Sequence, residues 1–359
     1  MSTDVVGKHR HTVPPAARVA VVQAPVRQTT ASHAAAFVMG VLLLQLGFIL
    51  SYVGAFHQPA PTRIPIVVVA PAVMSGQLVA TLDALPRAPL RATAVTDEAA
   101  ARQLITTQAA DAALLVDPTV RTDRLLVATG AGPALAGAVE QIVGALDATR
   151  QRTVEVVDVV PLRTGDGRGL TPFYLVIGWI LGGYLVAAVI GVTRGSRAST
   201  PRRSLVRLAA MVPYAMVSGV GGALVVGPVL GALSGRFLAL SAIGTLIVLS
   251  AAVVTFALQA SMGVAGIGVT ILLFVVLGSP SAGGPYPPPL LPTFWRIIGG
   301  ALPNGAGTTA ERNTVYFSGA GTMGPLLVLG AYVLAGALLT VTATAVAARR
   351  SRPITALEV

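Results

Sequence analysis

The chain has no cysteine, four histidines and few charges: only 11% of its 359 residues are Asp, Glu, Lys or Arg, and 5% are aromatic. Without cysteine there is neither a disulfide framework nor a thiolate metal site, so any folded domain is held together by packing. The scarcity of charge, beside 54% hydrophobic residues, excludes an ordinary soluble composition and points to the membrane class. Acids are scarcer than bases, 14 against 25, which leaves a net charge of +11.

What the chain does have is long apolar runs. Segments 34–56, 172–193, 208–233, 237–260, 263–278 and 323–348 contain no Asp, Glu, Lys, Arg or His. Lipid accepts only backbone whose hydrogen bonds are satisfied internally, so a run of about 20 apolar residues reads as a spanning helix. The first run follows a polar head, is too long for a signal-peptide core, and exits through Gly54-Ala55-Phe56-His57-Gln58 without a small-x-small cleavage pattern. It reads as an uncleaved anchor. The expected fold is a polytopic α-helical membrane protein of six transmembrane helices, with a small extracytoplasmic α/β domain between the first and second. In that layout 1–33 is a basic cytoplasmic head, disordered at its start, and 57–171 is the outer domain. Residues 172–278 hold helices two to five, 279–322 is an extracytoplasmic loop with short interfacial helices, and 349–359 is a cytoplasmic tail.

Charge assigns the sides. The head carries Lys8, Arg10, Arg18 and Arg27 against Asp4, and the connection 194–207 carries Arg194, Arg197, Arg202, Arg203 and Arg207 against no acid. The tail has Arg349, Arg350 and Arg352 against Glu358, whereas 57–171 balances ten arginines with eleven acids. An even number of spans puts every basic segment on one side, as the positive-inside rule requires, so both termini are expected in the cytoplasm. The basicity is then topology with some attraction to anionic lipid, not nucleic-acid binding.

Within 64–162 the sequence alternates between strand and helix patterns. Strands are expected at 64–70, 91–95, 112–116, 125–128 and 153–160, and helices at 75–85, 99–107 and 134–149. Thr96 is the expected N-cap of the second helix, and the third places apolar residues at 135, 139, 142, 143 and 146 on one face. Asp111, Asp117 and Asp123 form the nearest thing to a carboxylate cluster, and loop positions at strand ends explain them better than a site does. No nucleophile–base pattern appears, so no catalytic residue, metal or cofactor is assigned.

The membrane half is marked by small residues, by proline and by one unusual segment. Gly178 with Gly182, and Gly227 with Gly231, have the four-residue spacing that lets helices approach closely. Pro213 and Pro228 predict a kink or break in the third span, and Tyr174 and Trp179 suit an interfacial belt. Charge-free spans lack the parts of a proton relay or an ion-coupled carrier. Segment 279–322 predicts two short helices headed by Pro292 and Pro303, with Phe294 and Trp295 at the interface and Arg296 at its polar edge. Gly305 and Gly307 lack the following Gly-Lys-Ser/Thr of a phosphate loop.

Three stretches carry a family resemblance: Asp97-Glu98-Ala99-Ala100 through Val116-Asp117-Pro118, Val157-Asp158-Val159-Val160-Pro161-Leu162, and Leu291-Pro292 through Leu302-Pro303-Asn304-Gly305 with Arg312. With the order anchor, outer domain, five spans and a helical excursion before the last, the chain resembles the membrane subunits of type-2 ABC exporters. Within these it resembles the phage-infection-protein branch and its actinobacterial relatives. The resemblance implies a permease in a homodimer or heterodimer, driven by a separate cytoplasmic ATPase. It makes 194–207 the docking region, with its five arginines facing the ATPase or lipid, and 292–312 a gate. The docking connection of this chain departs from the family in being arginine-rich and interrupted by Pro201. A non-transporting membrane scaffold, whose outer domain binds a cell-envelope partner, is the alternative expectation.

Overall fold

The computed structural model describes residues 31–350. Most of the basic head, and the tail residues Arg352 and Glu358, lie outside the described residues. Among the described residues, five helices are long and apolar enough to cross a membrane: α1 (Ala31–Phe56), α5 (Thr171–Arg194), α6 (Pro201–Leu224), α7 (Phe237–Met262) and α12 (Met323–Arg350). Between α1 and α5 lies a five-stranded sheet with three helices: β1 (Ile64–Val69), α2 (Ala72–Asp83), β2 (Leu90–Val95), α3 (Glu98–Thr106), β3 (Ala112–Leu115), β4 (Thr122–Val127), α4 (Pro133–Thr149) and β5 (Thr153–Asp158).

The strand order is β2-β1-β3-β4-β5, parallel except for the β3–β4 hairpin. The two-residue period of a strand sorts its side chains onto two faces. Ile64, Ile66, Val68, Leu114, Leu125 and Val127 pack beneath α2 and α4, while Val67, Ala113 and Leu126 pack beneath α3. The N-cap of α3 is Asp97, not Thr96: the Asp97 carboxylate accepts from the Ala100 N–H at 2.8 Å, and the Thr96 hydroxyl donates to that same carboxylate. A carboxylate satisfies a free N–H at the positive end of the helix better than a hydroxyl can.

α7 is the centre of the helical body, buried along most of its length between α5, α6 and α12. Trp179 of α5 is not part of an interfacial belt. It is 3% exposed, its indole N–H donates to the Ser218 carbonyl at 2.9 Å, and Gly222 and Gly244 make room for its ring. Tyr174 does face outward. α6 continues through Pro213 and yields only near Pro228, in a π turn (Val225–Val229) that is followed, after Leu230, by Gly231 with φ of +65°. A proline lacks the N–H that would hold the ladder together, and the wider turn absorbs that loss.

The fifth apolar run is shorter than the other five. α8 (Ala265–Ile271), a π stretch (Leu272–Gly278) and α9 (Ser279–Ser281) form one continuous apolar helix of 17 residues, at most about 25 Å long. It begins where Gly263 lies beside Ser196, past the C-terminus of α5, and leads to Gly284 against the ring of Phe173 in the first turn of α5. The run therefore connects the same two ends that α5 connects. α10 (Thr293–Ala301) and α11 (Pro303–Tyr316) follow, before α12.

Candidate functional site

α10 and α11 are the two short helices expected from the sequence, but they are not a surface loop. α11 packs against α5, α7, α12 and the π stretch, and twelve of its fourteen residues are buried. Its glycines allow this. Gly305 lies on the Gly299 backbone of α10, and Gly307 fits between Ile247 of α7 and Val176 of α5, where a Cβ would stand 2.9 Å from each side chain. Pro303 takes the first helical position, where no N–H is needed.

The polar side chains of α11 are thereby carried inside the helical body. Asn304 donates from Nδ2 to the Phe274 carbonyl at 3.0 Å, and the Ser279 hydroxyl donates to the same oxygen. Phe274 lies in the π stretch. Arg312, 6% exposed, donates to the Gly283 carbonyl at 3.0 Å and pins the connecting loop. Glu311 is fully buried, and neither of its carboxylate oxygens has a partner among the described residues. Charge is thus absent from the long apolar runs but present among the helices.

The two ends of the hairpin are tied elsewhere. Trp295 is buried against Ala55, with its ring beside Gly54 of α1, so it is a packing anchor, whereas Phe294 is exposed. Pro292 caps α10, and Arg296 is partly exposed. At the other end Phe317 enters the α3 face of the sheet, and the Tyr316 hydroxyl donates to Asp166 at 2.6 Å. Asp166 in turn accepts from the backbone N–H and the hydroxyl of Thr171, at the start of α5. Arg163 donates to the Val315 carbonyl. Sheet domain, α5 and α11 meet at this point.

The arginines of 194–207 divide. Arg197 donates to the Ala260 and Ser261 carbonyls at the C-terminus of α7, and Arg207 donates to the Arg194 and Gly195 carbonyls at the C-terminus of α5. Arg203 bonds Ser199. Arg194 and Arg202 are exposed and their side chains have no partner among the described residues. Of the paired glycines, Gly178 has open space over it and Gly182 faces the hydroxyl of Tyr214. Gly227 lies near the Leu233 carbonyl, and Gly231 is the turn residue. Closer helix approaches occur at Gly183, over the Val248 backbone of α7, and at Gly219, over Ser241 and Thr245.

In the sheet domain, Asp111 and Asp117 lie at opposite ends of β3 and do not form a cluster. Asp123 is fully buried and paired with Arg152 through both carboxylate oxygens. Asp147 of α4, also fully buried, joins that pair with Arg150 3.9 Å away. Burial, and then the charge of Asp123, push the Asp147 carboxyl up to about 6. Sequence reading missed Asp147 because it lies 24 residues from Asp123 and looks like a solvated helix residue. No group of three or more His, Asp or Glu suited to a metal ion occurs among the described residues.

These features define a mostly helical protein with helices of membrane-spanning length and one small sheet domain. No protein-family model, curated protein or solved structure matches the chain.

Proposed function

We propose that this chain is the membrane permease subunit of an ABC-type exporter, moving an apolar or amphiphilic compound outward with energy from a separate cytoplasmic ATPase. The observation that carries the reading is α11, a polar helix held among α5, α7 and α12 and tied at its C-terminus to the sheet domain. An element joined to both parts can convert a rearrangement of the helices into a displacement of the outer domain. The resemblance of 291–305 and Arg312 to such exporters falls on this same hairpin.

In this reading the chain sits in the plasma membrane with six crossings, the sixth being the short helix 265–281 that runs between the same ends as α5. An even count keeps the arginine-rich connection and both termini in the cytoplasm, and the sheet domain outside. Arg194 and Arg202 are then the cations left to meet an ATPase or lipid phosphates. The exposed apolar face of α1, with Leu46, Ile49, Leu50 and Val53, faces lipid or the second copy of a homodimer.

The test is purification from native membranes followed by identification of associated proteins. The reading expects a cellular ATPase that stays bound through detergent exchange, and ATP-dependent efflux when the pair is reconstituted. If no ATPase associates, the reading fails, and a scaffold whose outer domain binds an envelope partner takes its place.

A further inference from the structure

A cavity of about 490 Å³ opens between α7, the end of α11 and the start of α12, a size in the usual range of roughly 300–1,000 Å³ for small-molecule sites. Its α7 wall is a helical stripe: Ala239, Ala242, Ile243, Leu246 and Leu249 recur at three- and four-residue spacing. From Ala239 to Leu249 the stripe descends about 15 Å, half of the roughly 30 Å hydrocarbon core. Leu326 closes the opposite side.

The polarity of the lining is graded. At the outer end stand Arg236, the residue that precedes α7, and Ser318 and Thr322 from the turn between α11 and α12. Arg236 is exposed and its guanidinium has no partner among the described residues. The Thr322 hydroxyl is buried in the lining and also lacks a partner. Deeper down, the leucines and Ile243 make the slot mostly apolar; of the two threonines that also line it, Thr245 and Thr314, the first spends its hydroxyl on the Ser241 carbonyl of its own helix. A free cation and an unpaired hydroxyl above such a slot complement an anionic head and an alkyl tail.

We propose that this cavity binds a membrane-borne amphiphile with a single alkyl chain and an anionic headgroup, the head at Arg236 and the chain along the Ala239–Leu249 stripe. As the identity of the exported compound, this rests on the export reading; as a binding site, it stands without it.

The experiment uses the full-length protein in lipid discs of zwitterionic lipid, with spin-labelled palmitate as the probe and no ATPase present. The expected result is a saturable, motionally restricted fraction that unlabelled palmitate displaces and an uncharged monoacylglycerol displaces poorly. Arg236→Gln should weaken binding about tenfold, the loss of one charge-assisted contact, and Arg236→Lys should restore most of it. Ala242→Phe should abolish it by filling the slot, while Leu238→Phe, at an exposed residue outside the lining, should not. If Ala242→Phe misfolds, Ala239→Leu narrows the same slot with a smaller side chain. No saturable fraction, or one unaffected by both Arg236→Gln and the slot-filling variants, overturns the site. Loss of binding with ATPase association intact rejects the site alone; binding without any ATPase partner rejects only the export reading.

Discussion

The phenol of Tyr316 donates to the carboxylate of Asp166 across 2.6 Å, joining the last turn of α11 to the side chain that holds Thr171 at the start of α5. A hydrogen bond to a charged acceptor is worth about 1.5–3 kcal/mol, and this one spans two elements 150 residues apart. Tyr316→Phe should lower the apparent unfolding temperature in detergent, and so should Asp166→Asn. The double variant should cost clearly less than the two combined, because they share one interaction. Strict additivity would show that the two residues act separately.

Glu311 presents the opposite case, a buried carboxylate without a partner. Such a group costs free energy wherever it is ionised and only part of that when protonated. Glu311→Gln keeps the shape and removes the charge, so thermal unfolding should show a protein at least as stable as wild type, by a margin on the order of 1–2 kcal/mol. If the same variant loses efflux in the reconstituted pair, the carboxylate is retained for function at the expense of stability. A less stable Glu311→Gln protein would mean that the carboxylate itself holds the helices together.

The alternating strands and helices of 64–158 were legible in the sequence because the signals there are local: a short β-branched apolar run for β1 and a spacing of about 3.6 for α4. The helical runs were legible for the simpler reason that lipid demands length and apolarity. The location of α11 was not. Its sequence Pro303-Asn304-Gly305-Ala306-Gly307-Thr308-Thr309 is as polar as a surface turn, and its burial depends on Gly305 and Gly307 matching surfaces on α10, α5 and α7 that no local pattern encodes. Trp179 misled for a related reason. A tryptophan near a span end suits the interface by composition, and only the glycines at 222 and 244, more than 40 residues away, show that its ring is enclosed.

Asp147 gives the sheet domain a pH dependence with a definite sign. Its carboxyl is raised from the ordinary 3.8 to about 6 by burial first and by Asp123 second. An acid whose folded pKa is raised contributes stability that is fully present below its unfolded value and lost as pH rises through the folded one. The stability of β4 and α4 should therefore fall between about pH 4 and pH 6, by an amount on the order of 2 kcal/mol. Asp147→Asn mimics the neutral form, so hydrogen exchange in these elements should match wild type near pH 4 and be slower than wild type at pH 7. Asp111, also raised to about 6 by burial, acts in the same window, and being partly exposed it contributes less. Exchange unaffected by Asp147→Asn at pH 7 would refute the assignment.

The arginines of 194–207 separate a structural role from a docking role. Arg197 and Arg207 satisfy the last carbonyls of α7 and α5, groups that no helix can pair internally. Replacing either by Gln should lower the unfolding temperature by the equivalent of about 1 kcal/mol and leave fewer arginine contacts holding the α5–α6 connection. Arg194 and Arg202 make no such bonds, so Arg194→Gln with Arg202→Gln should leave unfolding unchanged within about 0.5 kcal/mol. Under the export reading that same double variant should lose its ATPase during purification, because two exposed cations on one connection are the charges available to an acidic partner surface. Equal retention of the ATPase by wild type and the double variant would move the docking surface elsewhere. Retention in Arg194→Gln/Arg202→Gln combined with loss in Arg197→Gln would place it on the geometry that the capping arginines maintain.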